Sequence, residues 1–331
     1  MTDLTLLPAT QLVQLLSTGG CSASELLEQY IDKIESLDAV TNAVVQRNFE
    51  AARLRAREFD QNTHNRTNCV LQGLPITMKE SFNISGLRTT WGMSQWKDYT
   101  PHSDALVTQA LKSAGANILG KTNAPAMLGD YQTYNDVYGQ TNNPWNPALT
   151  PGGSSGGSAV AIACGYSALE FGSDLGGSLR NPAHYCGVFS HKPTWGIVPM
   201  HGHQPPYTEP ERNIDLAVAG PLARSAADLQ LALNIIARPT PDMVPGWHLK
   251  LPEISVTSFR DLRVAFWHSS HMAPVSEDIS AKSAELASVM SRLGATVSDS
   301  AFPDFDLEHH RITYLRAVAA LTATGTDQQG Y

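Results

Sequence analysis

Between Pro151 and Arg180 the chain carries two glycine-flanked serine segments joined by an apolar run. The first reads Pro-Gly-Gly-Ser-Ser-Gly-Gly-Ser-Ala at 151–159, the second Gly-Ser-Asp-Leu-Gly-Gly-Ser-Leu-Arg at 172–180. Glycine lacks a Cβ, so the backbone at such points can bend sharply and come close to a ligand. Amide N–H groups freed in a bend can converge on one oxygen, which is the requirement for stabilising an oxyanion. A single loop of this kind is ordinary turn material. Two of them bracketing a helix-like segment place Ser154 or Ser155, and then Ser178, in one neighbourhood.

A serine hydroxyl is a weak nucleophile until a base removes its proton. The chain has 11 histidines, but none lies in a motif that pairs it with either serine. A lysine can serve if burial or nearby positive charge keeps it neutral. Lys79 ends the apolar stretch Gly73-Leu74-Pro75-Ile76-Thr77-Met78, which reads as a buried strand. A surface lysine beside Glu80 is the other reading these residues allow.

Together these motifs resemble the amidase signature family. The resemblance rests on Gly73 to Lys79, on Gly152 to Gly157, and on Gly176-Gly177-Ser178. It extends to Gly120-Lys121-Thr122-Asn123, to Asn142-Asn143-Pro144-Trp145-Asn146-Pro147, to Cys186-Gly187-Val188, and to Lys192-Pro193-Thr194-Trp195-Gly196. It implies a Ser-cisSer-Lys triad in which Ser178 attacks an amide carbonyl, Ser154 relays the proton and Lys79 is the base. It further implies a cis bond between Gly153 and Ser154. The oxyanion would be held by the amides of Leu175, Gly176, Gly177 and Ser178, with Ser155, Asp174 and Arg180 supporting the loops. The expected activity is hydrolysis of a linear carbon–nitrogen amide bond through an acyl-enzyme, with no cofactor and no metal. The alternative is an amidotransferase-type subunit, or an inactive or truncated relative, that needs a partner. The segment Gly196-Ile197-Val198-Pro199-Met200 departs from the pattern associated with that subunit.

Other short matches carry no chemistry. Gly153 to Gly157 satisfies Gly-x-Ser-x-Gly, but no strand precedes it, as a nucleophile elbow requires. Gly152 to Gly157 has P-loop spacing, with Ser158-Ala159 where Lys-Ser/Thr is needed. Ser94 to Lys97 matches Ser-x-x-Lys without its companion motifs.

Strand and helix patterns alternate along the 331 residues without internal repeat, which argues for layered α/β architecture. Helices are expected over 9–36 with a break at Gly19-Gly20, then over 50–60, 104–114, 158–164, 226–237, 277–293 and 307–321. Strands are expected at 42–46, 73–78, 117–119, 167–171, 262–266 and 295–297, with a buried segment at 187–190. Loops are expected at 61–68 and 200–212. The irregular stretch 123–150 carries Tyr131, Tyr134 and Trp145, and long irregular segments inside a domain are usually functional. The resemblance implies one mixed central sheet covered by helices on both faces, a single domain over 1–331, with the C-terminal part of the family domain missing.

Net charge is −8 with no basic block, which argues against a nucleic-acid surface. Four cysteines at 21, 69, 164 and 186 show no CxxC spacing and suit a reducing compartment, with Cys164 and Cys186 as core fillers. Without a signal-peptide pattern or a ~20-residue apolar run, a cytoplasmic protein is expected, with no membrane association. The expected partner is a small-molecule amide, with a homodimer left open.

Overall fold

The computed structural model describes residues 3–62, 69–208, 214–253, 255–267, 270 and 272–323. The predicted 61–68 loop falls almost wholly outside them, as do 209–212 of the second predicted loop. The chain divides into two compact units, Met1–Leu249 and Lys250–Tyr331.

The first unit opens with α1 (Ala9–Thr18) and α2 (Ala23–Thr41). Gly19 ends α1 in the left-handed conformation, where a side chain would be penalised. Ser22 caps α2 in a reciprocal box with Glu25, which stabilises a helix start by about 0.5–2 kcal/mol. Leu26, Leu27, Tyr30, Ile31 and Ile34 fall on one face at helical spacing, and all are fully buried.

Next come β1 (Val44–Arg47), α3 (Phe49–Gln61), β2 (Pro75–Lys79), α4 (Leu106–Ser113) and β3 (Asn117–Thr122). Strand β3 lies between β1, antiparallel to it, and β2, parallel to it. Pro75 is the first residue of β2, the strand position where its missing N–H costs no ladder bond. Every residue of β2 is buried, so its last side chain is delivered into the interior.

After β3 come the two-residue strands β4 (Tyr134–Asn135) and β5 (Gly139–Gln140), which pair antiparallel. Helix α5 (Gly156–Ala163) has no polar face, and Gly156 through Ile162 are all buried. A helix apolar all round belongs in a core. Strand β6 (Glu170–Asp174) is antiparallel to β8 (Val218–Ala223), which also pairs with the short β7 (Phe189–Ser190). Helix α6 (Arg180–Cys186) follows the second serine segment, and α7 (Ala226–Ile236) packs on β8. Strand β6 runs beside β2, where Thr77 N donates to Ser167 Oγ at 2.8 Å and Ala168 N to Pro75 O at 3.3 Å.

The second unit contains β9 (Arg263–Ala265), α8 (Glu277–Arg292), β10 (Thr296–Ser298) and α9 (Leu307–Ala323). Strands β9 and β10 are parallel and joined through α8, as a parallel pair requires a crossover.

The α/β reading with a mixed sheet is therefore borne out. Two local expectations are corrected. The strand predicted at 167–171 runs over Glu170–Asp174: Ser167 to Leu169 form the bend before it, where Ser167 Oγ donates to Leu169 O, and the buried strand continues into the polar residues Ser173 and Asp174. The segment 187–190 is not buried, and Phe189 lies half exposed at a sheet edge.

Candidate active site

Lys79 ends β2 with no exposed surface. Its Nζ donates to Ser154 Oγ at 2.8 Å, Ser155 Oγ at 3.0 Å and Ser173 Oγ at 3.1 Å. All three partners are hydroxyls, which both donate and accept. A neutral amine, with two N–H donors and one lone pair, fits three such neighbours as well as an ammonium does. Burial pulls the Lys79 ammonium down to about 7, against the opposing pull of Asp174 and Glu170. Glu170 on β6 is itself fully buried and is pushed up to about 7 by burial, against hydrogen bonds led by that from Thr122.

The first serine segment is closed in on all sides. The Gly153–Ser154 peptide bond is cis, and Gly152 through Gly157 are all buried. Gly157 N donates to Asn123 O at 3.2 Å, and a methyl group added at Gly157 would lie 2.4 Å from Asn123 N. Gly153 N donates to Asn181 Oδ1 at 3.1 Å, and Thr133 Oγ1 donates to Gly152 O at 2.8 Å.

The second segment turns around Asp174. Its carboxylate accepts from Gly177 N at 2.9 Å, Leu179 N at 3.0 Å and the Arg180 guanidinium at 2.8 and 3.1 Å. Burial works to raise the Asp174 pKa, but the Arg180 and backbone hydrogen bonds outweigh it and hold the group below the usual carboxylate range. Arg180 is 56% exposed whereas Asp174 is buried, so the pair ties the turn to the surface. Ser155 N donates to Ser178 O at 3.1 Å, which joins the two segments directly. Ser178 is half-buried.

Among the expected oxyanion donors, Gly177 differs from the others in having an acceptor. Its amide hydrogen is engaged by Asp174, at a backbone φ of +127° that suits only glycine. The amides of Leu175, Gly176 and Ser178 have no acceptor among the described residues. The geometry thus brings Lys79, Ser154 and Ser155 into contact and ties Asp174 and Arg180 to the Ser178 turn. Ser173 and Asn181 lie outside the sequence expectations. A hydroxyl inside a buried strand is the one sequence signal for Ser173, and nothing local marks Asn181.

Cys186 is buried and its thiol is pushed up to about 12, chiefly by burial. Cys164 is likewise raised by burial. Neither has the thiolate character of a nucleophile. Trp145 is exposed and donates from Nε1 to Cys186 O at 2.8 Å. No helix of the described residues is long and apolar enough to cross a membrane.

The family model Amidase matches residues 25–330. The chain is 34% identical to an indoleacetamide hydrolase of Bradyrhizobium diazoefficiens, over 88% of this chain and 55% of the relative. It is 32% identical to a glutamyl-tRNA(Gln) amidotransferase subunit of Roseiflexus castenholzii, over 92% of this chain and 61% of the relative. Among solved structures, a fatty acid amide hydrolase superposes with a TM-score of 0.85 at 27% identity, over 95% of this chain and 56% of that one. A bacterial aryl acylamidase of the amidase signature family gives 0.80 at 26%, over 98% and 69%. The chain belongs to the amidase signature family. It spans about half the length of the curated relatives it matches.

Proposed function

We propose that this protein hydrolyses the carbon–nitrogen bond of a small linear amide through a serine acyl-enzyme. The observation that carries the reading is the fully buried Lys79 amine, 2.8 Å from Ser154 Oγ at the cis Gly153–Ser154 bond. In this reading neutral Lys79 takes the Ser154 proton while Ser154 takes that of Ser178. Ser178 Oγ then bonds to the substrate carbonyl carbon, and the carbonyl π pair moves onto oxygen. The N–H groups of Leu175, Gly176 and Ser178 hold that oxygen, while Gly177 shapes the turn through Asp174. Collapse breaks the C–N bond, and the Lys79 proton returns through Ser154 to the leaving amine. Water then attacks the ester, gives its proton along the same path, and releases the carboxylic acid and Ser178. These steps call on no group outside the chain and the water. Residues 1–331 are taken as one amidase domain, supported by a family match that runs through both compact units.

A second reading, in which the chain works with partner chains as part of an amidotransferase, is favoured by the relatives that carry that name. Hydrolysis of an amide by the chain alone supports the first reading. Activity seen only with a partner and a glutamine-derived ammonia acceptor supports the second.

The direct test is labelling with a fluorophosphonate, mapped by peptide mass spectrometry. Label is expected on Ser178, lost in Ser178→Ala and strongly slowed in Lys79→Ala, with Cys164→Ala and Cys186→Ala unaffected. Label lost only in a cysteine variant would overturn the assignment.

A further inference from the structure

We infer that Tyr131 is a positioning residue for the oxyanion-binding turn, an inference that rests on the reading above. Tyr131 Oη donates to Gly176 O at 2.6 Å. That carbonyl belongs to the same peptide unit as the Gly177 N–H, which donates to Asp174 Oδ1 at 2.9 Å. A trans peptide is planar, with its oxygen and hydrogen at opposite ends. Tyr131 and Asp174 therefore grip one plane from both sides and fix its rotation. The two unengaged amides at Gly176 and Ser178 flank that plane directly. Their directions follow from its orientation through the dihedrals of Gly176 and Gly177, two residues with little intrinsic preference.

Tyr131 can act as a fixed post because its own segment is anchored. Next to it, the Asp130 carbonyl and the Gln132 amide crowd Gly153 so closely that an added methyl would meet them at 2.6 and 3.1 Å. Thr133, one residue further, is buried and bonds Gly152 O. Residues 130–133 thus touch the cis-serine segment through backbone and the oxyanion turn through the Tyr131 hydroxyl. The ring itself is half exposed, so its hydroxyl contributes little to the core. It lies beside Gly177, with Cε1 3.7 Å from where a Cβ would be.

The test compares wild type, Tyr131→Phe and Ser178→Ala by fluorophosphonate inactivation, whose phosphoryl oxygen takes the oxyanion position. Tyr131→Phe keeps the ring and removes only the hydroxyl. We expect its maximal inactivation rate to fall roughly tenfold or more, since small misplacements at a reacting centre can cost up to ~100-fold. The probe's half-saturation should stay within about twofold, and the melting temperature and the pH midpoint should not move. An unchanged maximal rate overturns the inference, as does a loss confined to half-saturation or one that tracks a lowered melting temperature. Labelling that persists in Ser178→Ala, or is absent in wild type, instead strikes the nucleophile assignment itself.

Discussion

Residues 152–157 and 175–178 are both glycine–serine segments, yet the first is buried at every position and the second only at Gly177. In the first, Gly153 and Gly157 are there because neighbouring backbone leaves no room for a Cβ, and Gly156 because the Thr133 side chain fills the space. In the second, Gly177 has space around it and is there for its φ of +127°. The first segment holds a hydroxyl on a buried amine. The second leaves amides and a hydroxyl without partners among the described residues. In the proposed mechanism the first segment moves a proton and the second meets the substrate.

The largest break in this comparison comes from removing each hydroxyl in turn. Ser178→Ala should lower amide turnover by about 10⁶-fold, as loss of a nucleophile does elsewhere. Ser154→Ala, which interrupts proton transfer but leaves the nucleophile, should cost about 10²- to 10⁴-fold. Steady-state hydrolysis of a small aryl amide measures both. Equal losses would mean that the two serines act as an inseparable unit rather than as relay and nucleophile.

Acidity probes the buried side of the comparison. Lys79 must be neutral to accept a proton, and burial places its titration at about 7. Activity should be full above that pH and fall about tenfold per unit below it, since the protonated amine has no lone pair. Because Glu170 is buried close by and also titrates at about 7, the apparent midpoint belongs to the pair. A kcat/KM profile that stays flat from about pH 5 to 7 would remove Lys79 as the base.

The same contrast explains what the sequence can disclose. Ser154 or Ser155, and Ser178, stand out because each sits in a glycine-flanked run whose composition is its own signal, whereas Lys79, Asp174 and Arg180 are singled out through the family resemblance. The strand under Lys79 is legible too, since consecutive buried residues leave an apolar trace. Ser173 does not stand out, because a serine in a strand reads the same whether it faces a lysine or a neighbouring backbone. The bond from Tyr131 to Gly176 spans 45 residues, and Asn181 reaches back 28 to Gly153. No periodicity encodes such pairings. The bond from Gly177 to Asp174 is unmarked for a related reason: local spacing says that an amide is free to turn, whereas Asp174 decides which way it faces.

Glycine substitutions sharpen the comparison with the smallest effects. A methyl at Gly157 would lie 2.4 Å from Asn123 N and 2.6 Å from Asn123 O, both backbone atoms that cannot swing aside. Gly157→Ala should therefore cost about 1–3 kcal/mol of stability, the usual penalty for overpacking. It would be read as a lowered urea midpoint at unchanged slope. At Gly177 the nearest atom to an added methyl is 3.7 Å away, so the resistance is only dihedral. That peptide can relieve the strain by rotating into open space, releasing Tyr131 and Asp174 as it does so. Gly177→Ala should thus lose less stability than Gly157→Ala and more kcat per unit of stability lost. If the two variants trade stability for rate in the same proportion, crowding and conformation are not separate devices, and the division of labour between the two loops fails.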